Sequence, residues 1–147
     1  MKKKINKIYV AGALTYANDK LKETYLKIAE ICKIICDDIY VPHAQGTDPI
    51  NHPYITPAEV WRRDERAVSS SNLIIAYVGE PSLGTGGELE IARYNKIDII
   101  LWWFKGQKVS RLPRGNPAVI AQIEADNENE LYEKLNFILK DKYELKK

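Results

Sequence analysis

An open, doubly wound parallel α/β sheet is the fold class this sequence predicts, on three observations. Leu73 to Val78 is an unbroken apolar run rich in branched residues, the mark of a strand covered on both faces. Directly behind it stands GEPSLGTGG, with four glycines, a proline and two hydroxyls, and then a helix that the pattern starts near Glu88. Strand-like and helix-like segments alternate along the rest of the chain.

Taken in order, Ile5 to Ala11 holds the apolar run Ile8 to Ala11, a first strand that ends at Gly12 and opens into the loop Ala13 to Asn18. Asp19 is placed to cap a helix whose stripe runs Leu21, Tyr25, Ile28, Ala29, Cys32 and Ile35. Ile39 to Val41 reads as a short second strand, and Pro42 to Ile55 as a long polar loop carrying His43 and His52. Thr56, Pro57 and Glu59 make a helix entrance, with a hydroxyl cap, a proline in the first turn and a capping-box glutamate. The stripe of that helix passes through Val60, Asp64, Ala67 and Val68, so Asp64 stands where the period asks for a hydrophobe. A salt bridge to Arg62, Arg63 or Arg66, or a surface position, would also account for it.

Ile97 to Phe104 is a fourth strand. Its Trp102 and Trp103 face opposite ways, and packing is the expected fate of both. Lys105 to Pro117 is a polar loop, able to hold an anion or simply to cover the surface. Gln122 to Ala125 forms a short edge strand, and Asn127 with Glu130 caps a last helix striped by Leu131, Leu135, Ile138 and Leu139. The sum is a five-stranded open parallel sheet, flavodoxin-like, in order 2-1-3-4-5, with helices on both faces.

With 147 residues, 45% of them apolar and 29% charged, the chain is long enough for one well-filled domain spanning 1–147. The net charge of +2 is concentrated in terminal lysines, which argues against a nucleic-acid surface. No apolar stretch approaches the ~20 residues of a membrane span, and no signal-peptide pattern opens the chain, so a cytoplasmic enzyme is expected. Cys32 and Cys36 read as small buried side chains rather than metal ligands.

In a doubly wound sheet, ligands sit beyond the carboxyl ends of the strands where the strand order reverses. Gly12, the segment Gly79 to Gly87, and the helices bearing Asp64 and Glu88 all fall on that edge, with Tyr9 just below. Glu88 shares an inward face with Ile91 and Ala92, although a glutamate near a helix start is also favoured by the helix dipole alone. A glycine-rich turn able to aim N–H groups at an anion, two inward carboxylates and a phenol suit chemistry at a phosphorylated sugar, because glycosidic cleavage needs paired carboxylates. There is no GxGxxG after the first strand and no GxxxxGK[ST], which sets redox and phosphoryl-transfer readings behind it.

Tyr9 and Gly12 in IYVAGAL, Asp64 in RRDERA, and the run EPSLGTGGELEIA together resemble the nucleoside 2-deoxyribosyltransferase superfamily, most closely its 2'-deoxynucleoside 5'-phosphate N-hydrolases. The resemblance implies Tyr9, Asp64 and Glu88 as the catalytic group. Gly12, Ala13, Leu14, His43, Ser82, Gly84, Gly86 and Ser110 are the expected substrate-binding residues, with His43 equally able to serve as a loop cap. Ser82 stands where transferases of free nucleosides carry an aspartate, and a serine can donate to a phosphate that a carboxylate would repel. The resemblance also implies a homodimer or higher homo-oligomer in which Ser110 reaches the neighbour's phosphate, a small-molecule nucleotide substrate, and no metal or organic cofactor. Thr15 departs from the pattern by replacing an arginine, leaving Lys105, Arg111 or Arg114 to supply charge. Base exchange between nucleosides, or nucleotide binding without catalysis, would use the same residues.

Overall fold

The computed structural model describes residues 1–14, 17–45 and 52–147; Thr15 and part of the polar loop after the second strand lie outside them. Five strands, β1 (Lys7–Ala11), β2 (Asp38–Tyr40), β3 (Leu73–Tyr77), β4 (Asp98–Phe104) and β5 (Val119–Ala125), form one sheet in the order β2-β1-β3-β4-β5. All four pairings are parallel, so the expected topology stands. The edge strand β5 is longer than the sequence indicated, because its first residues continue to pair with β4 through a register shift at Ile99 and Ile100.

Side-chain alternation divides the core. Ile8, Val10, Leu73, Ile75, Tyr77, Ile100 and Trp102 point to the face covered by α1 (Asp19–Cys32) and α5 (Glu128–Lys142). Tyr9, Ala11, Ile74, Ala76, Ile99, Leu101 and Trp103 point to the other, where α2 (Pro57–Ser69) and α3 (Leu83–Tyr94) supply Ala67, Val68, Leu89 and Ala92. Both tryptophans pack, on opposite faces. Trp102 is fully buried, and Trp103 is held by an indole N–H donated to Glu124 at 3.0 Å and by the Arg114 guanidinium 5.1 Å from its ring.

Helix entrances follow the sequence with two corrections. Asn18, not Asp19, caps α1: its side chain accepts from the Leu21 N–H at 2.8 Å, and Asp19 becomes the first helical residue, where its charge suits the dipole. The larger correction is at α3, which starts at Leu83 rather than near Glu88, so Gly84, Gly86 and Gly87 are helical. Ser82 draws the helix back by accepting from the Thr85 N–H at 3.2 Å through its hydroxyl and from the Gly86 N–H at 3.1 Å through its carbonyl. Buried Thr85, Leu89 and Ala92 then fix it to the sheet. The polar loop after β4 contains a short helix, α4 (Arg111–Arg114), that begins after Ser110.

At α2 the capping box forms as expected, with Thr56 Oγ1 accepting from the Glu59 N–H at 3.2 Å and Glu59 Oε2 accepting from the Thr56 N–H at 3.3 Å. Among the described residues no helix is long and apolar enough to cross a membrane. Thr56→Ala removes the cap and should lower unfolding stability by about 1 kcal/mol, read as a shifted urea midpoint with an unchanged m-value.

Candidate active site

Strand order reverses between β1 and β3, which are neighbours although β2 lies between them in sequence. Tyr9 sits on β1 opposite Ile74 of β3, and its ring is fully buried on the α2/α3 face, stacked on Tyr40 with centroids 5.2 Å apart and planes 13° from parallel. Asp64 comes from the second half of α2 and Glu88 from the second turn of α3. These helices pack on each other and on the same sheet face, which brings the three residues together as the sequence indicated.

All three carry a polar atom sealed from solvent with no hydrogen-bond partner among the described residues: Tyr9 Oη, Asp64 Oδ1 and Glu88 Oε2. Glu88 as a whole is only half-buried, so burial is concentrated on its carboxylate. Loss of solvation raises the Glu88 carboxyl from 4.5 to about 8; nearby Tyr9 pulls it down and the charge of Asp64 pushes it up. Desolvation likewise raises Asp64 from 3.8 to about 6, with Arg63 offsetting part of the shift. The tyrosine hydroxyl is thus within electrostatic reach of Glu88 but outside hydrogen-bond geometry. Its own ionisation is driven far up by burial and by both carboxylates, so Tyr9 is a neutral phenol, a donor without an acceptor among the described residues. The salt bridge weighed for Asp64 does not satisfy Oδ1. Between about pH 6 and about pH 8 the two carboxylates hold roughly one proton between them, and that proton belongs to the pair.

The remaining candidates divide into three groups. Gly12, Ala13 and Leu14 leave the carboxyl end of β1 half-exposed, and Gly12 is sterically required, since a Cβ there would lie 2.2 Å from the Tyr25 hydroxyl. His43 lies in a 3-10 turn (Pro42–Gln45), its ring 6.0 Å from that of Tyr25; His52 is exposed. At the mouth of α3, Gly86 is corrected: its N–H is bonded within the helix and it shares a face with Glu90 and Arg93, away from Glu88. Gly84, one turn ahead of Glu88 on the same face, and Leu83 keep N–H groups that have no intrahelical acceptor at a helix start. A Cβ at Gly86 or Gly87 would meet nothing within 4 Å. The fold therefore does not require these glycines, although each lowers helix propensity by about 1 kcal/mol.

A cavity of about 690 Å³ lies between α3 and the loop after β4 and is lined by none of Tyr9, Asp64 or Glu88. Its walls include Leu83, Leu89, Leu112 and Pro113, with Ser82, Gly86 and Ser110. Ser110 is exposed, and its side chain makes no cap bond to α4. The apolar walls suit a surface-burying contact, although Thr85 Oγ1, also buried without a partner among the described residues, lines this cavity; the unpartnered carboxylate oxygens belong to the acid pocket. Sequence reasoning missed Tyr40, whose half-buried ring covers Tyr9 and whose hydroxyl is raised by burial and by the charges of Asp64 and Glu88. Its place at the end of β2, beside the first strand, was the available signal. Among the described residues no group of three His, Cys, Asp or Glu side chains is arranged to hold a metal.

Because Glu88 titrates higher in the folded chain than its ordinary 4.5, the stability it contributes is fully present below that value and is lost as pH rises through about 8. Glu88→Gln should therefore melt close to wild type at about pH 5 and above it by a margin that grows up to about pH 9. Parallel melting curves over that range would contradict the burial of this carboxyl.

No family model and no curated protein matches the sequence. Solved structures do. A CMP N-glycosidase from Clostridium botulinum, BcmB, superposes with a TM-score of 0.67 at 24% identity, over 90% of this chain and 99% of its own. A 2-deoxyribosyltransferase from Bacillus psychrosaccharolyticus gives 0.63 at 14% identity, over 88% and 95%. One from Leishmania mexicana gives 0.56 at 13% identity, over 88% and 97%. The open parallel sheet built here, with its switch point between β1 and β3, is a fold this chain shares with these three structures.

Proposed function

We propose that this chain cleaves the N-glycosidic bond of nucleoside 5'-monophosphates, 2'-deoxy forms among them, releasing the free base and the sugar 5-phosphate. The observation that carries the reading is the pair of buried carboxylates beside Tyr9 at the switch point, each with an unpartnered oxygen and together holding one proton near neutrality. The reactive form is the minor arrangement of the shared proton, on Asp64 with Glu88 ionised, since Glu88 titrates the higher of the two. In it Glu88 attacks C1', the C1'–N bond breaks, and the departing base takes the proton from Asp64. Water then attacks C1' of the glycosyl ester; Asp64 accepts its proton, and the Glu88 carboxylate leaves. Tyr9 donates to Glu88 once the ligand draws the side chains together, and its ring restricts the space at C2'.

Phosphate recognition is assigned to the mouth of α3. The Ser82 hydroxyl oxygen accepts from Thr85, which leaves its hydrogen free to point outward beside the Leu83 and Gly84 N–H groups. The CMP N-glycosidase neighbour supports a monophosphate and widens the substrate class to ribose, so paired ribo- and deoxyribonucleotides are the proper screen. Base exchange, the activity named for the two transferase neighbours, shares the first half-reaction and differs only in what intercepts the glycosyl ester. A homodimer in which Ser110 reaches the neighbouring site belongs to the same proposal.

Base release from CMP, dCMP and the other monophosphates, with and without a second free base, tests the reading directly. Free base and sugar phosphate from wild type, and loss of turnover by ~10³ or more in Glu88→Ala with nucleotide binding retained, are expected. Activity of Glu88→Ala within tenfold of wild type would exclude the nucleophile. The kcat/KM profile should be bell-shaped between limbs near 6 and 8, since one proton on the carboxylate pair is the active state. Ser82→Asp should reverse a preference of about a hundredfold for the monophosphate over the free nucleoside, two charge-assisted hydrogen bonds being lost to repulsion. A wild-type preference for the free nucleoside would favour the transferase.

A further inference from the structure

Tyr25 lies outside the acidic group. It projects from α1, on the sheet face opposite Tyr9, Asp64 and Glu88, and only 3% of it is exposed. Its hydroxyl donates to the Ala13 carbonyl at 2.9 Å. Its ring meets His43 with centroids 6.0 Å apart and Trp102 edge-on at 6.4 Å, and Trp102 continues to Tyr77 at 4.4 Å. Tyr77 in turn accepts from Gln107 Nε2 at 2.6 Å, and Gln107 Oε1 accepts from the Phe104 N–H at 2.8 Å. The loops after β1, β2, β3 and β4 thus rest on one aromatic floor beneath the carboxyl edge. Tyr25 is the member that touches both Gly12–Leu14 and His43. Gly12 is glycine because the Tyr25 hydroxyl occupies the place of its Cβ, 2.2 Å away.

We propose that Tyr25 is a positioning residue that fixes nucleotide affinity by clamping the Gly12–Leu14 segment and the His43 turn into one wall of the pocket. The proposal rests on the monophosphate N-glycosidase reading for its substrate but not for its geometry. The buried phenol is anchored by Trp102 below and by the Ala13 carbonyl above, so it can transmit a position without contacting the reacting atoms. Removing the hydroxyl frees the Ala13 carbonyl and loosens the loop; the Glu88 charge reaches this hydroxyl, but Tyr25 is not among the groups that shift Glu88 or Asp64, which lie on the other face. Affinity should fall and the chemical step should not.

Tyr25→Phe is the test, with Tyr143→Phe as its control, because Tyr143 also donates from a buried ring, to Asp98 at 3.1 Å, at the far end of the sheet. On the monophosphate that wild type cleaves fastest, Tyr25→Phe should raise KM roughly five- to tenfold, with kcat within about twofold, as loss of one buried hydrogen bond implies. Tyr143→Phe should lower the melting temperature and leave KM alone. Hydrogen exchange at the Ala17 amide, which donates to the Leu14 carbonyl at 3.3 Å, should quicken in Tyr25→Phe and not in Tyr143→Phe, a measurement that needs no turnover. Unchanged exchange overturns the clamp even if wild type cleaves nucleotides. Faster exchange with unchanged KM, or an equal KM rise in Tyr143→Phe, overturns its role in affinity. Should wild type release no base, the N-glycosidase reading falls while exchange still decides the clamp. Should Tyr25→Phe fail to fold, Gly12→Ala displaces the same hydroxyl from the other side; exchange is then the readout, since Gly12 is itself an expected substrate contact, and a Gly12→Ala that leaves exchange unchanged overturns the proposal.

Discussion

Two carboxylates held out of water on one side of a parallel sheet are the constraint on which the rest of this molecule depends. Burying an ionisable group without a partner is unfavourable, and Glu88 and Asp64 respond by holding on to a proton well above the usual carboxylate range. The penalty persists only because α2 and α3 are fixed from elsewhere. Ala67, Val68, Leu89 and Ala92 seat the two helices on Tyr9, Ala11, Ile74, Ala76, Leu101 and Trp103, and the capping box at Thr56 and the Ser82 cap define where each begins. A core that could relax would let the acids turn outward to water. Rigid packing makes an unfavourable arrangement stable enough to use.

The sheet separates two tasks. One face presents the acids and Tyr9; the other carries the chain of rings from Tyr25 through Trp102 to Tyr77. Loops from four strands meet at the shared edge, so the buried acids lie on one side of it and the aromatic support of the loops on the other. The apolar cavity between α3 and the loop after β4, with Leu83 and Leu112 almost fully exposed at its walls, meets the ring chain at Tyr77 and the mouth of α3 at Ser82. Helix α3 is common to the acid pocket and this cavity, with Glu88 on one of its faces and Gly86, Glu90 and Arg93 on the other.

The glycines at the start of α3 join local structure to chemistry. Among the described residues nothing fills the space that side chains at Gly86 and Gly87 would occupy, and glycine weakens a helix. What remains is bare backbone at a helix mouth, a surface that another molecule can approach closely. Ser82 terminates that surface with a hydroxyl that caps the helix and can also donate outward.

Periodicity and caps in the sequence determined the alternation of strands and helices and the faces of the helices, and marked Asp64 and Glu88 as candidates for inward positions, because a residue's face follows from its spacing. The resemblance supplied their grouping with Tyr9. The tertiary structure decided what spacing cannot reach. It started α3 at Leu83, since the Ser82 cap and the sheet contacts of Leu89 and Ala92 outweigh the low helix propensity of glycine, and it thereby took the Gly86 N–H out of the binding set. It placed Tyr40 over Tyr9 and Tyr25 under Ala13, contacts between residues 31 and 12 positions apart that no local pattern encodes. Above all it set the protonation of the acid pair, because a carboxyl's pKa depends on how much water the fold removes from it, and that is a property of the packed chain rather than of any segment.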